Sequence, residues 1–353
     1  MRRGLIAWSE AEVPRAALEA RVARLAAAMK AAKLPALVLY TNITRPCAVS
    51  WLTNFVPYWS QGIVVLQDGA RPAIFVSFSK RVQDWAESTT PAEVVSTPNL
   101  GAEAAKRIGK VGRIGIVELG ALPAGIARPL FEVTGAAPVD ATELFAQARA
   151  PADAVELALT TRAAEIAKQA FNVALAAEPK RTGALQAAVE DSARRAGAEE
   201  VLVRIAPDCS EDARLRRLEG DAPLGSAAHV QISLAYKGAW VRLGRAWSTV
   251  EPPPSWNVAA AWFESAIGAF DGGLNPSPTL AFPAANGASW TVEQCIGGAP
   301  FSVRATSGQR QFAPQPGSIV TLTARVNWGG APWLRSATIV AGSGKNPYAQ
   351  ALT

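Results

Sequence analysis

Polar and apolar residues alternate most regularly between Gly225 and Trp247, GSAAHVQISLAYKGAWVRLGRAW, where Val230, Ile232 and Leu234 are interleaved with Gln231 and Ser233. A period of two marks a half-buried strand, and Tyr236-Lys237-Gly238 followed by Trp240 predicts a tight turn and a returning strand. On such a hairpin residues 231 and 242 are expected to face each other across the ladder, near its open end. Before it, Leu18, Val22, Leu25 and Met29 recur at helical spacing, so Arg15 to Lys33 reads as an amphipathic helix stopped by Pro35. Short apolar runs follow at 36–40, 62–66, 73–76 and 113–117, with Asp68-Gly69 as a turn, Val95 opening a further strand and a helix over 102–110. Strands interleaved with helices predict an α/β amino-terminal domain. Around Ala150-Pro151 the pattern turns helical, placing a boundary between domains at 1–150 and 151–353. Val155, Leu159, Ile166 and Ala170 mark a long helix, and a second covers Gly183 to Ala196 with Gly197 as its cap. Pro252-Pro253-Pro254 breaks the chain before a helix from Trp256 to Phe270 that Gly272-Gly273 ends, and the remainder, from Leu280, is strand-rich.

Composition narrows the class of protein. The 353 residues are long enough for two cores, and 49% hydrophobic with 18% charged residues is ordinary for a compact fold. The formal charge of +6 is scattered, densest at Arg214, Arg216 and Arg217, which describes a solvated face better than a nucleic-acid stripe. No apolar run is long enough to span a bilayer, and the basic start acquires Glu10 and Glu12 before any apolar core, unlike a signal peptide. Cys47, Cys209 and Cys295 are odd in number and far apart, a pattern of reducing compartments without a thiolate zinc site; the cytoplasm is the expected location.

The hairpin is similar to the motif G-D-x-x-x-x-D-L-G-A-x-Y-x-G-Y-x-x-D-x-T-R of the creatinase, prolidase and aminopeptidase P family, with Gly225, Tyr236, Gly238 and Arg245 in register. Other stretches extend the likeness. Residues 49–55, VSWLTNF, resemble "Y-L-T-G-F"; VELALTTRAAEIAKQAF resembles "E-I-x-x-M-R-x-A-A-x-I-A"; 316–322 resembles "P-G-M-V-F-T-I-E-P", 338–342 resembles "D-T-V-L-V-T", and the final Ala351-Leu352-Thr353 resembles a terminal "L-T". The resemblance implies an α/β amino-terminal domain followed by an α+β pita-bread domain with a curved, mostly antiparallel sheet, and a homodimer.

In the family's metalloenzymes two Asp, one His and two Glu hold a pair of metal ions. The resemblance places those positions on Gln231, Arg242, Gln294, Thr323 and Ser336, none an acid or an imidazole. No Asp or Glu occurs between Gly225 and Trp247 or from Gln294 onward, so no metal or other cofactor is expected. His229, the single histidine, lies two residues before Gln231 and shares its strand face; it is the candidate general base or acid, as the family's metal-free creatinase uses a His, or else a buried, hydrogen-bonded core residue. Arg242, Arg245 and Arg335 are candidates for a cationic pocket, with Gln231, Gln294 and Trp240 lining it and Trp290, Trp328 and Trp333 as further walls. Cys209 is a nucleophile only if a base activates it, and otherwise inert, while Cys295 reads as a small buried residue.

Two functions fit these expectations. One is a metal-independent, creatinase-like hydrolase cleaving a C–N or related bond of a small polar or anionic molecule, such as a carboxylate or guanidino compound. The other is a non-catalytic protein that binds a small ligand or partners an active paralogue, as modules of this family without metal ligands serve as interaction domains elsewhere. No membrane or nucleic-acid partner is expected.

Overall fold

Strand-forming β-branched runs and alanine-rich helices sort into two sheets, each with its own core. The computed structural model describes residues 8–57, 60–217, 220–268, 270, 289–300, 314–328, 330–342 and 350–351. One compact unit comprises residues 2–156 with 295–299, and the other 157–294 with 300–353.

In the first unit α1 (Arg15–Ala31) leads into β1 (Ala36–Thr41), α2 (Cys47–Thr53), β2 (Gly62–Gln67), β3 (Ala73–Val76), α3 (Gln83–Ser88) and β4 (Glu93–Ser96). Then come α4 (Leu100–Ile108), β5 (Gly115–Val117), α5 (Ala124–Glu132), β6 (Val139–Asp140) and α6 (Thr142–Arg149). The mixed sheet has the order β4-β3-β2-β1-β5-β6. Its central strands are apolar on both faces, since every residue of β1 is buried, as expected of strands covered on both sides. The "L-T-G-F" likeness has a backbone reason: Asn54, in the place of the glycine, sits at φ 61°, and Asn is among the few residues that tolerate that region. Trp51 is fixed by three guanidiniums around its ring, those of Arg21, Arg24 and Arg149, and its Nε1 donates to Glu156 at 2.8 Å.

The second unit contains most of α7 (Ala154–Ala176), then α8 (Thr182–Arg195), β7 (Glu200–Ala206), β8 (Ala227–Tyr236), β9 (Ala239–Ser248), α9 (Pro254–Gly268), β10 (Ser289–Glu293), β11 (Ile319–Trp328), β12 (Ala331–Val340) and β13 (Gln350–Ala351). Its sheet runs β10-β11-β12-β9-β8-β7, with β13 on β12, and every pairing is antiparallel. One face is apolar: Val230, Ile232, Leu234, Val241 and Leu243 pack with α7 and α8, and Leu322, Trp333, Ala337 and Ile339 pack with α9. The opposite face is polar.

Three sequence expectations change in detail. The hairpin turn has two residues, Lys237 and Gly238, at φ 46° and 79°, the geometry that matches the twist of flanking strands. Tyr236 therefore pairs with Ala239, and Gln231 opposes Gly244 while Arg242 opposes Ser233, so the expected 231–242 pair is corrected by two positions. A shift of two preserves the face, and Gln231 and Arg242 remain on the same side. The carboxy-terminal helix starts at Pro254, because proline is accommodated in a first helical turn where its missing N–H has no partner to lose. The Gly272-Gly273 stop and the last two residues of the "L-T" likeness lie outside the described residues.

Candidate functional site

The polar face of the second sheet is ordered in rows that follow the pairing register. One row runs Arg204, Gln231, Gly244, Ser336, Thr323 and Thr291, through β7, β8, β9, β12, β11 and β10. A neighbouring row, two residues along each strand, includes Ser233, Arg242, Thr338, Thr321 and Glu293. A third, on the other side, includes His229, Leu334 and Arg325. In a flat sheet β7 and β10 would stand roughly 24 Å apart. Arg204 on the one nevertheless lies within electrostatic reach of Glu293 on the other, so the sheet curls toward this face.

Gly244 is what lets β9 approach β12 here. A Cβ at that position would meet Ser336 Oγ at 2.5 Å and its Cβ at 2.8 Å. Ser336 is fully buried and ties the row together: Gln231 Nε2 donates to its Oγ at 3.2 Å, and Thr323 Oγ1 shares a hydrogen bond with it at 2.9 Å. Thr321 and Thr338 are linked in the same way at 3.3 Å. Hydroxyl and amide groups thus satisfy one another where they would otherwise be buried at a penalty.

Arg242 dominates the charge. Its side chain is 4% exposed; Nη1 pairs with Glu293, Nη2 donates to Pro300 O at 2.9 Å and Nε to Ser233 Oγ at 3.1 Å. Arg204 and Arg325 stand near the same carboxylate. Burial lowers the pKa of both, the charge of Arg242 lowers it further, and Glu293 opposes the shift. Guanidinium is too basic to lose its proton at neutral pH, so these three side chains stay cationic beside Glu293.

His229 is 2% exposed, and its Nε2 lies 3.2 Å from Pro332 O. Burial lowers the pKa of the imidazole; the backbones of Pro332 and Ala213 oppose that shift and Arg325 adds to it. A neutral ring with Nε2–H donating to a carbonyl follows. Cys209 approaches the same carbonyl, its Sγ 4.0 Å away, and burial followed by the nearby Asp208 charge pushes its thiol up to about 11. It is a protonated core residue in this environment.

The structure therefore brings Gln231, Arg242, Thr323, Ser336 and His229 onto one face. Trp240, at the even positions of β9, belongs to that face by alternation and is buried. Gln294 follows β10, and its Oε1 is buried with no hydrogen-bond partner among the described residues. Arg245 and Arg335 are corrections to the expected cationic pocket. They pair with each other on the helix-covered face, because each directly follows an inward residue in the alternation, Gly244 before Arg245, or precedes one, Ser336 after Arg335. There Arg335 reaches Glu264 of α9 at 3.2 Å and lies over the Phe263 ring. Trp333 packs edge-on against Phe263 in the same core, and the side chains of Trp290 and Trp328 lie outside those described.

Three charged members of the site were not singled out in the sequence. Arg204 lies in EVLVRIA, where Val201, Val203 and Ile205 alternate with it and would have signalled a strand with one inward cation. Glu293 stands immediately before the acid-free stretch that begins at Gln294, and Arg325 carries no local signal.

The fit of a divalent metal pair can be judged from the donors themselves. The five positions that the resemblance assigns to ligands present amide, hydroxyl and guanidinium groups, three of them already hydrogen-bonded to one another. Divalent ions in such centres require carboxylate or imidazole ligands, so this donor set does not fit them. Among the described residues no group of three or more His, Cys, Asp or Glu could hold a metal ion.

This architecture, a mixed α/β domain followed by an antiparallel sheet backed by helices, is the creatinase, prolidase and aminopeptidase P fold, its second half the pita-bread domain. Residues 21–150 match the family described as Creatinase/Prolidase N-terminal domain. A prolidase from Pyrococcus horikoshii is 15% identical at a TM-score of 0.70, the match covering 95% of this chain and 98% of that one. An Xaa-Pro dipeptidase from Bacillus anthracis is 17% identical at 0.68, covering 95% and 97%, and an X-Pro aminopeptidase from Thermotoga maritima is 14% identical at 0.70, covering 94% and 97%. No curated protein is significantly similar in sequence. Among the described residues no helix is long and apolar enough to cross a membrane.

Proposed function

We propose that the protein is a non-hydrolytic member of this fold that binds a small carboxylate on the inner face of its second sheet, between Arg204, Arg242 and Arg325. The observation that carries this reading is the gathering of three guanidiniums, those of Arg204, Arg242 and Arg325, within electrostatic reach of one another on one polar sheet face. Planar guanidiniums recognise carboxylates through paired hydrogen bonds. A ligand with two carboxylates presents a group to more than one of these guanidiniums. Metal-independent cleavage of a C–N bond with His229 as base is the second reading, favoured by the electrostatic proximity of Arg325 to that ring. It requires the imidazole to leave the Pro332 carbonyl and become accessible. As in the family, a homodimer is the expected assembly.

Calorimetric titration with succinate, and with guanidino compounds and proline dipeptides for comparison, tests the proposal. Succinate is expected to bind, and Arg325→Gln to weaken it by about tenfold or more, the size of a lost charge-assisted hydrogen bond. Binding of none of these ligands would refute the carboxylate site. Turnover of any of them that His229→Gln abolishes would establish the hydrolytic reading instead.

A further inference from the structure

We propose that Cys47 and Cys295 form a redox-responsive thiol pair that closes into a disulfide when the protein meets a hydroperoxide. The two residues are far apart in the chain and belong to no CxxC motif, so their number and spacing alone do not pair them. The fold does. Residues 295–299 lie along the segment that enters α2: Cys47 N donates to Gly297 O at 2.9 Å, Ala299 N to Thr44 O at 3.0 Å and Cys47 Sγ to Gly298 O at 3.5 Å. Arg149 Nη1 holds the Cys295 carbonyl at 2.7 Å. With both backbones pinned, the two thiols are hydrogen-bonded to each other, and the Arg149 guanidinium lies within electrostatic reach of both sulfurs.

The environments of the two sulfurs differ in a way that sets the order of events. Cys47 is buried, and its hydrogen bond to the Cys295 sulfur together with burial raises its pKa, so it keeps its proton. Cys295 is partly exposed and is the sulfur that an oxidant reaches. The thiolate is the reactive form of a cysteine. That thiolate attacks one peroxide oxygen; an S–O bond forms, the O–O bond breaks, and the second oxygen leaves as water after taking up a proton. The resulting sulfenic acid is attacked at sulfur by Cys47, the S–S bond forms, and the hydroxyl departs as a second water with the Cys47 proton. Two thiols are oxidised as one hydrogen peroxide is reduced to two waters. The bond adds a covalent link between the 295–299 segment and the start of α2 within the same unit.

The test is thiol titration, intact mass and peptide mapping of the full chain after exposure to a modest excess of hydrogen peroxide. Of the three cysteines, the titratable count is expected to fall to one, with the mass lower by two hydrogens and a Cys47–Cys295 peptide that dithiothreitol releases. Cys209→Ser is expected to leave the reaction intact, and Cys295→Ser to abolish it. Retention of all three thiols, a bond that includes Cys209, oxidation of Cys295 beyond the sulfenic state without a bond, or disulfides only between molecules would each overturn the assignment.

Discussion

Gly244 shows how one missing side chain permits the polar face. Its neighbour across the strands, Ser336, would collide with any Cβ placed there, and one of the close atoms is the Ser336 backbone nitrogen at 3.0 Å, which cannot rotate away. Gly244→Ala is expected to destabilise the protein by about 1–3 kcal/mol, the usual range for an overpacked site. Chemical denaturation measures it, and an unchanged midpoint would mean that β9 and β12 are not held this close. His229 carries a prediction of a different kind. Its folded pKa lies below the ordinary 6.5, so the unfolded chain takes up the proton first as pH falls. The stability it contributes is present above 6.5 and is lost progressively as pH drops through the folded value. Thermal unfolding between pH 7 and 5 should show this slope in the wild type and a smaller one in His229→Gln. A slope identical in both would separate His229 from the pH response.

At the scale of elements, the β8–β9 hairpin carries the register on which every row of the site depends. Its turn holds both Lys237 and Gly238 at positive φ, and Gly238 N donates to the Glu199 carboxylate at 2.7 Å. A β-branched side chain is strained in that region, so Gly238→Val is expected to lower stability by about 1–3 kcal/mol, read from the urea midpoint. Lys237→Gly, which relieves a positive φ, serves as the control and is expected to be close to neutral. The same turn explains why the pairing was misplaced by two residues from sequence. Alternation in 230–234 defines which side chains share a face, whereas the number of turn residues defines which ones oppose each other. The arginines illustrate the difference: Arg242 and Arg245 are three apart in sequence and point to opposite sides of the sheet.

Over the whole molecule, the chemistry of the face sets its response to ions. Mn, Co and Zn ions are expected to leave the unfolding temperature unchanged, because the donors at Gln231, Arg242, Gln294, Thr323 and Ser336 are neutral or cationic. Stoichiometric metal binding with a raised unfolding temperature would contradict that. Acid acts on the first unit through Asp153. Burial alone would raise its pKa, but the Arg21 hydrogen bonds at 2.6 and 2.9 Å and the nearby Arg24 outweigh it, and the carboxyl is held below 3.8. Its stabilising contribution is therefore present above that value and lost only in stronger acid.

The sequence by itself determined the local structure and most of the architecture. Helical spacing marked α1, α7 and α8, apolar runs marked β1 to β3, and alternation marked the long hairpin, because these patterns reflect burial of one face of an element and need no partner to be read. The residues onto which the resemblance places the ligand positions carry no acid or imidazole. Only the tertiary structure decided what replaces them. Glu293 and Arg325 lie on the adjacent strands β10 and β11, Arg204 lies on β7 at the other end of the sheet order, and they come within electrostatic reach because the sheet curls. Cys47 and Cys295 meet for a similar reason, through a short segment folded against a distant helix start. Long-range pairing brings such groups together, and a single chain carries no local signal of it.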